Sequence, residues 1–283
     1  MVSASLLDLG LLRSQLGTRF FAVGDRLLYR PVVDSTNVLA MRIAHEGLDE
    51  GVVVLTDSQT AGKGRQGRRW VDVSGRNVLS STLLRPLFPP QLLVMIASLA
   101  VVNAIAETCG ASATIKWPND ILIEDRKVAG ILIETSHDQT GRMIAVVGIG
   151  INVNGQIADY FPVQTALFAT ATTLETACGH RVSRETLIAQ LLRDLETDYL
   201  ALQQEYTSSS SVSNETYRPI ARLVRKRWRG QLATLGRTIQ VQQGERVVSG
   251  VAEDVDDNGE LLLRCHSGEL VSITWGDVGY PVR

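Results

Sequence analysis

Residues 115–134 read IKWPNDILIEDRKVAGILIE, and this stretch sets the β-character of the middle of the chain. It contains two runs rich in isoleucine, leucine and valine, separated by the polar triplet Glu124-Asp125-Arg126. Two β-forming runs joined by a short polar turn predict a hairpin. Residues 143–154, MIAVVGIGINVN, are a third such run and predict a further strand.

The upstream part of the sequence alternates between helical and extended patterns. The first thirty residues have a helical texture, and residues 34–47 predict a capped helix. Residues 52–56 and 77–85 predict buried strands. The apolar run over 92–106 is shorter than the roughly 18–20 residues that span a bilayer, so it predicts a buried helix rather than a membrane segment.

The downstream part changes from helix to short β runs. An apolar stripe predicts a long helix from Ser183, the serine-rich residues 207–214 predict a flexible surface loop, and residues 218–229 predict a basic helix. Turn signals then separate several short β runs, which predict a small antiparallel barrel-like module. We therefore expect two domains, residues 1–233 and residues 234–283.

Composition narrows the class of protein. The 28 Lys and Arg residues and 30 Asp and Glu residues give a net charge of −2, which argues against a protein held on DNA by bulk charge. The 3 cysteines and 4 histidines are scattered, so they predict neither a disulfide framework nor a zinc site. The N-terminus lacks the pattern of an export signal, so we expect a cytoplasmic protein without a membrane or nucleic-acid partner.

Residues 62–70, GKGRQGRRW, combine glycines with cations directly after a predicted strand. Glycines let backbone N–H groups approach an anion, and the cations add charge-assisted hydrogen bonds to phosphate or carboxylate. The loop matches neither the Walker A pattern nor the dinucleotide-binding fingerprint. Residue composition alone leaves two interpretations open, namely a phosphate-binding loop and a solvated basic surface loop.

Three other short motifs have an ordinary interpretation when each is taken alone. Residues 116–120, KWPND, combine a Trp-Pro step with good turn chemistry. Lys127 enters an apolar strand, although lysines at hairpin ends are usually solvated. Residues 34–37, DSTN, are explained by a helix cap.

The set of motifs is more specific than its members, and together it resembles the biotin protein ligases. The resemblance covers about residues 34–154, and the C-terminal β module also fits the family. The segments occur in this order: DSTN at 34–37, QTAGKGRQGRRW at 59–70, KWPND at 116–120, KVAGILIE at 127–134 and GIGINVN at 148–154.

The resemblance implies an α+β fold, with a mixed β-sheet backed by helices as in class II synthetases and a small C-terminal SH3-like barrel. It implies that biotin and ATP give biotinyl-5′-AMP and pyrophosphate with Mg²⁺, and that biotin then passes to a lysine of a biotin carboxyl carrier protein. Only 33 residues precede Asp34, so we expect a monofunctional form without an N-terminal DNA-binding domain. A homodimer is possible.

The resemblance also implies roles for individual residues. The expected catalytic residues are Lys127, Arg65 and Asp120, with Asp120 also a candidate metal ligand. Lys63 stands where many members carry arginine, which keeps the charge but loses the bidentate fork. The expected biotin-binding residues are Ser35, Thr36, Gln59, Gly62, Arg65, Lys127 and Gly130. The expected ATP-binding and adenylate-binding residues are Lys63, Gly64, Arg65, Arg68, Trp70, Asn119 and Asn152.

Two other functions compete with this one. A lipoate–protein ligase shares the catalytic domain, but lipoate has no ureido group to occupy Ser35, Thr36 and Gln59. A non-enzymatic nucleic-acid or regulatory binding module would use the barrel and the basic helix. The net charge of −2 and the lack of aromatic residues interleaved with the basic run argue against the latter.

Overall fold

A seven-stranded mixed sheet organises the larger part of the chain. The computed structural model describes residues 6–208 and 218–280. The sheet order is β1-β2-β3-β7-β6-β5-β4, with β1 parallel to β2 and the other neighbours antiparallel. The strands are β1 (Leu27–Val33), β2 (Val53–Gln59), β3 (Asn77–Leu84), β4 (Thr114–Lys116), β5 (Asp120–Ile123), β6 (Arg126–His137) and β7 (Met143–Asn152).

Helices cover both faces of this sheet because successive strand residues point to opposite sides. Val53 and Leu55 of β2 belong to the main core, whereas Val54 belongs to a smaller cluster with Ala40 and Ile43 of α2. The main core is formed with α3, α6 and α7. The helices are α1 (Leu9–Gln15), α2 (Thr36–His45), α3 (Gln91–Cys109), α4 (Ala166–Thr170), α5 (Leu174–Cys178), α6 (Arg184–Ser208) and α7 (Pro219–Gly230).

Helix α3 confirms the predicted buried helix but is longer than the apolar run. It has 19 residues and therefore meets the length and composition of a membrane span. Most of its side chains are buried inside the protein, where α3 packs against the sheet and α6. The helix is thus explained as a core helix.

The N-terminal prediction was only partly right. A helix covers seven residues, Leu9–Gln15, and an extended strand occupies Leu27–Val33. Pro31 lies in that strand, which is tolerated because β1 is an edge strand and needs hydrogen bonds on one side only. The serine-rich stretch predicted as a loop lies largely in residues 209–217, outside the described residues.

The C-terminal module is a five-stranded antiparallel sheet with the order β11-β10-β9-β8-β12, as expected for the SH3-like part. Trp117 of the KWPND motif joins it to the larger sheet: its indole Nε1 donates to Gly259 O at 2.9 Å, and its backbone N–H donates to Thr234 Oγ1 at 2.9 Å. The predicted α+β fold is therefore confirmed. The strands are β8 (Thr238–Gln243), β9 (Arg246–Val255), β10 (Leu261–Cys265), β11 (Leu270–Ile273) and β12 (Asp277–Gly279).

Candidate active site

One cavity of about 410 Å³ brings the separate sequence motifs together. Its volume is in the range of small-molecule binding sites. Gly62 is the one proposed site residue that does not line it, since its carbonyl instead accepts the backbone N–H of Trp70 at 3.0 Å. The proposed residues that line the cavity are Ser35, Thr36, Gln59, Lys63, Gly64, Arg65, Arg68, Trp70, Asn119, Asp120, Lys127, Gly130 and Asn152.

The glycine-rich loop folds back on itself as a narrow hairpin after β2. Gly64 N–H donates to Arg68 O at 2.7 Å, and Arg68 N–H donates to Arg65 O at 3.1 Å. Gln66 and Gly67 make the turn with φ of 55° and 73°. The N–H groups of Gly64 and Arg68 are therefore engaged inside the loop in this conformation, and the loop also carries the guanidinium groups of Arg65 and Arg68.

Those guanidinium groups are held by the C-terminal module and the KWPND motif. Arg65 Nη1 donates to Asn119 Oδ1 at 2.7 Å and Nη2 donates to Gly276 O at 3.3 Å, while burial lowers the pKa of the Arg65 guanidinium. Arg68 Nη2 lies 2.5 Å from Asp277 Oδ2. The sequence reasoning missed Asp277, because it comes more than 200 positions after the loop.

A β-bulge brings Lys127 into the site. Side chains three positions apart on a regular strand point to opposite faces, yet Lys127 and Gly130 both line the cavity. The register between β5 and β6 shifts between Ile121 and Leu122, which inserts one extra residue into β6. Lys127 Nζ then lies 2.6 Å from Asp120 Oδ1, so the two expected catalytic side chains form an ion pair.

Trp70 lies across the glycines of the sheet. A Cβ on Gly150 would lie 2.6 Å from its Cε2 atom, so the indole occupies space that only glycine leaves free. Lys127 Nζ lies 5.6 Å from the indole ring centroid, within cation–π range. The buried Nε1 has no hydrogen-bond partner within residues 6–208 and 218–280.

The end of the cavity beside Gly148 is polar, because Asn37 lies against Gly148 whereas Trp70 lies against Gly150 and Gly130. Ser35 and Thr36, at the start of α2, are buried. Gln59 Oε1 accepts the backbone N–H of Thr36 at 2.9 Å. Asn37, which the sequence reasoning did not assign, also lines the cavity, and its Oδ1 accepts from Ser81 Oγ at 2.6 Å. The set offers several hydrogen-bonding groups, as a ureido ring requires.

We expect Gly148→Ala to lower the free energy of unfolding by about 1–3 kcal/mol, because overpacking a close-packed site costs that much. The added Cβ would lie 2.1 Å from Oδ1 of Asn37, whose side chain is buried and hydrogen-bonded. Chemical denaturation measures the change. Gly230→Ala is the matched control, since nothing lies within 4 Å of its added methyl group. Equal stability of the two variants would contradict this packing.

Asn152 has internal partners for both ends of its carboxamide. Its Oδ1 accepts from Asn77 Nδ2 at 3.2 Å, and its Nδ2 donates to Thr172 O at 3.2 Å. Thr172 N–H in turn donates to Lys127 O at 2.9 Å, and nearby Ala171 lines the cavity. The segment before α5 therefore forms a wall of the site, which its sequence did not reveal.

The candidate metal ligand Asp120 is surrounded by cations, and its role as a metal ligand stays a prediction. Its carboxylate is already paired with Lys127, and Arg65 and Lys116 are charged neighbours that interact with it. Across the described residues, no group of three or more His, Cys, Asp or Glu side chains is placed to hold a metal ion. The described residues thus supply cations rather than a carboxylate cluster.

Two family models match the chain. The Biotin/lipoate A/B protein ligase family matches residues 29–154, which include every proposed site residue, and the Biotin protein ligase C terminal domain matches residues 234–278. Asp277, which holds Arg68, falls in the second match. The two matches therefore meet at the cavity.

The chain is also similar to individual proteins. It is 35% identical over 256 residues to the bifunctional ligase/repressor BirA of Bacillus subtilis, covering 89% of this chain and 73% of that protein. It is 35% identical over 246 residues to the biotin–[acetyl-CoA-carboxylase] ligase of Paracoccus denitrificans, covering 84% and 94%.

A solved structure agrees with these matches. The biotin protein ligase from Aquifex aeolicus in complex with biotin and ATP superposes with a TM-score of 0.71 at 25% identity, covering 89% of this chain and 97% of that one. Sequence and structure therefore agree over most of the length, and the chain belongs to the biotin protein ligase family.

Proposed function

We propose that this protein is an ATP-dependent ligase that activates biotin as biotinyl-5′-AMP and transfers biotin to a lysine of a biotin carboxyl carrier protein. The observation that carries the proposal is the polarity of the cavity. The hydroxyl and amide groups of Ser35, Thr36 and Gln59 line the same cavity as the cations of Arg65, Arg68 and Lys127. A ureido acid whose carboxylate meets a nucleotide phosphate fits this arrangement.

The first step joins two anions. A carboxylate oxygen of biotin attacks the α-phosphorus of ATP, and pyrophosphate leaves with the electrons of the broken P–O bond. Fixed cations in a partly buried site reduce the repulsion between carboxylate and phosphate and stabilise the transition state. Lys127 is assigned to the carboxylate, and Arg65 and Arg68 are assigned to the phosphate.

The second step transfers the biotinyl group to an amine. The carrier lysine must lose a proton before its nitrogen attacks the acyl carbon and AMP leaves. Asp120 is a carboxylate of the cavity, so it is assigned to orient the incoming ammonium and accept its proton. Its ion pair with Lys127 links the groups assigned to the two steps.

The cofactor and the cellular setting are parts of the same proposal. Mg²⁺ bound by the triphosphate oxygens would neutralise part of their charge and assist the departure of pyrophosphate, with Asp120 the candidate protein ligand. A cytoplasmic location stays a prediction. A possible homodimer stays a prediction.

Biotin-dependent release of pyrophosphate from ATP tests the function. We expect release with biotin and ATP together, and only background release with ATP alone or with lipoate. Lipoate has no ureido group to satisfy the polar end of the cavity, and an unpaired buried polar group costs about 1–3 kcal/mol. Release driven by lipoate instead of biotin would favour a lipoate ligase. A salt-dependent oligonucleotide shift without turnover would favour a binding module.

A further inference from the structure

A chain of hydrogen bonds runs from the outside of the site to the polar end of the cavity. It begins at Glu134 on β6, whose Oε1 lies 3.0 Å from Lys63 Nζ in the glycine-rich loop. Glu134 Oε2 accepts from Asn37 Nδ2 at 2.8 Å. The chain continues through the buried Ser81 hydroxyl, which lies 2.6 Å from Asn37 Oδ1 and 2.7 Å from Thr36 Oγ1.

The carboxylate at the start of this chain, together with Leu132 O, which also accepts from Asn37 Nδ2 at 3.4 Å, sets the direction of every proton along it. An ionised carboxylate only accepts hydrogen bonds, so Asn37 must turn its Nδ2 towards Glu134 and its Oδ1 towards Ser81. The single proton of the Ser81 hydroxyl is therefore given to Asn37 Oδ1. Ser81 Oγ can then only accept, so the Thr36 hydroxyl donates its proton to Ser81.

The consequence appears at the cavity. Thr36 Oγ1 is also 3.2 Å from Gln59 Oε1, but the 2.7 Å contact with Ser81 is the better hydrogen bond for its single proton. With that proton committed, the hydroxyl oxygen of Thr36 has only lone pairs left for a ligand. At this point the cavity therefore offers a hydrogen-bond acceptor, which binds a ligand N–H group and repels a ligand oxygen atom.

We propose that Glu134 is a specificity-determining positioning residue, which acts through Asn37 and Ser81 to make Thr36 an acceptor for a ring N–H of the substrate. This inference rests on the proposed function, since the ring N–H is that of the biotin ureido group. An amide in place of the carboxylate can donate to Asn37, which favours turning over the carboxamide of Asn37 against its 3.4 Å contact with Leu132 O and reversing every proton in the chain.

The experiment compares the affinities of biotin and of two cyclic carbamate analogues, each with one ring N–H replaced by oxygen. Titration calorimetry gives the dissociation constants for the native protein and for Glu134→Gln. We expect the native protein to bind the less tolerated analogue at least about tenfold more weakly than biotin, because two acceptors then face each other. Glu134→Gln is expected to reduce that discrimination at least about fivefold.

Further variants distinguish an effect on hydrogen-bond direction from an effect on folding. Ser81→Ala cuts the chain in its middle and is expected to lose discrimination in the same way, so it decides the question if Glu134→Gln does not fold. Glu134→Asp keeps a carboxylate and is expected to restore discrimination. Glu124→Gln is the matched control, because Glu124 lies at the exposed tip of the same hairpin, paired with Arg126 at 3.6 Å, and native discrimination is expected.

The outcomes distinguish the inference from the function on which it rests. Native protein that neither binds biotin nor releases pyrophosphate with it would overturn the proposed function, and the inference with it. Native protein that is active with biotin, but whose discrimination is unchanged in folded Glu134→Gln or Ser81→Ala, would overturn the inference alone.

Discussion

Lys127→Ala is expected to slow biotinyl-5′-AMP formation by about 10²–10³-fold, the usual cost of removing one preorganised electrostatic group from a reaction centre. Lys127 Nζ lies against Asp120 and above the Trp70 ring, inside the cavity. Without it, the biotin carboxylate meets the α-phosphate with one cation fewer, and Asp120 loses its counter-ion. Single-turnover measurement of adenylate formation, with enzyme in excess over biotin, isolates this step from transfer.

The controls for this variant separate chemistry from folding. Lys127 is about one-third exposed, so its truncation leaves little buried volume empty, and the circular dichroism spectrum should match that of the native protein. Lys226→Ala removes an exposed lysine of α7 and is expected to react at the native rate. A Lys127→Ala protein with the native single-turnover rate would remove Lys127 from the chemistry.

Arg65→Gly is expected to release biotinyl-5′-AMP about 10–100-fold faster than the native protein, since hydrogen bonds to charged groups contribute about 1.5–3 kcal/mol. The Arg65 guanidinium ties the loop to Asn119 and to Gly276 of the C-terminal module, beside the site assigned to phosphate. Its loss frees one side of the cavity, and the escaped mixed anhydride reacts with lysines in solution. Biotin incorporation into a bystander protein such as albumin measures the escape.

A matched variant distinguishes the guanidinium from loop flexibility. Gln66→Gly also adds a glycine to the loop, at a position where φ is already 55°, but keeps Arg65. It is expected to retain the adenylate as the native protein does. Equal bystander labelling by native and Arg65→Gly proteins would show that Arg65 does not retain the adenylate. Equal leakage from Gln66→Gly would assign retention to the stiffness of the loop.

Local sequence patterns predicted most of the helices and strands, because the same face of each of these elements is buried along its whole length. The hairpin of β5 and β6, the core helix α3 and the short strands after residue 235 each repeat an apolar pattern that only one structure satisfies. Strand β1 was missed for a physical reason. It contains Pro31 and lies at the edge of the sheet, where pairing with β2 outweighs a sequence with weak strand preference.

The residue types along the chain define the chemistry that the site can hold. The DSTN, glycine-rich loop, KWPND and KVAGILIE segments contain the hydroxyl, amide, ammonium and guanidinium groups of the cavity. Each of these groups is part of the covalent structure of its residue, so the sequence is enough to identify it.

The fold sets the positions and orientations of those groups. The bulge in β6 turns Lys127 towards Gly130, Asp277 returns from the distant C-terminal module to hold Arg68, and Glu134 sets the hydrogen-bond direction at Thr36. The first effect depends on strand register, the second on a contact with the C-terminal module and the third on the position of a single proton. Such features arise from long-range pairing of backbone and side chains, and no local pattern of residues encodes them.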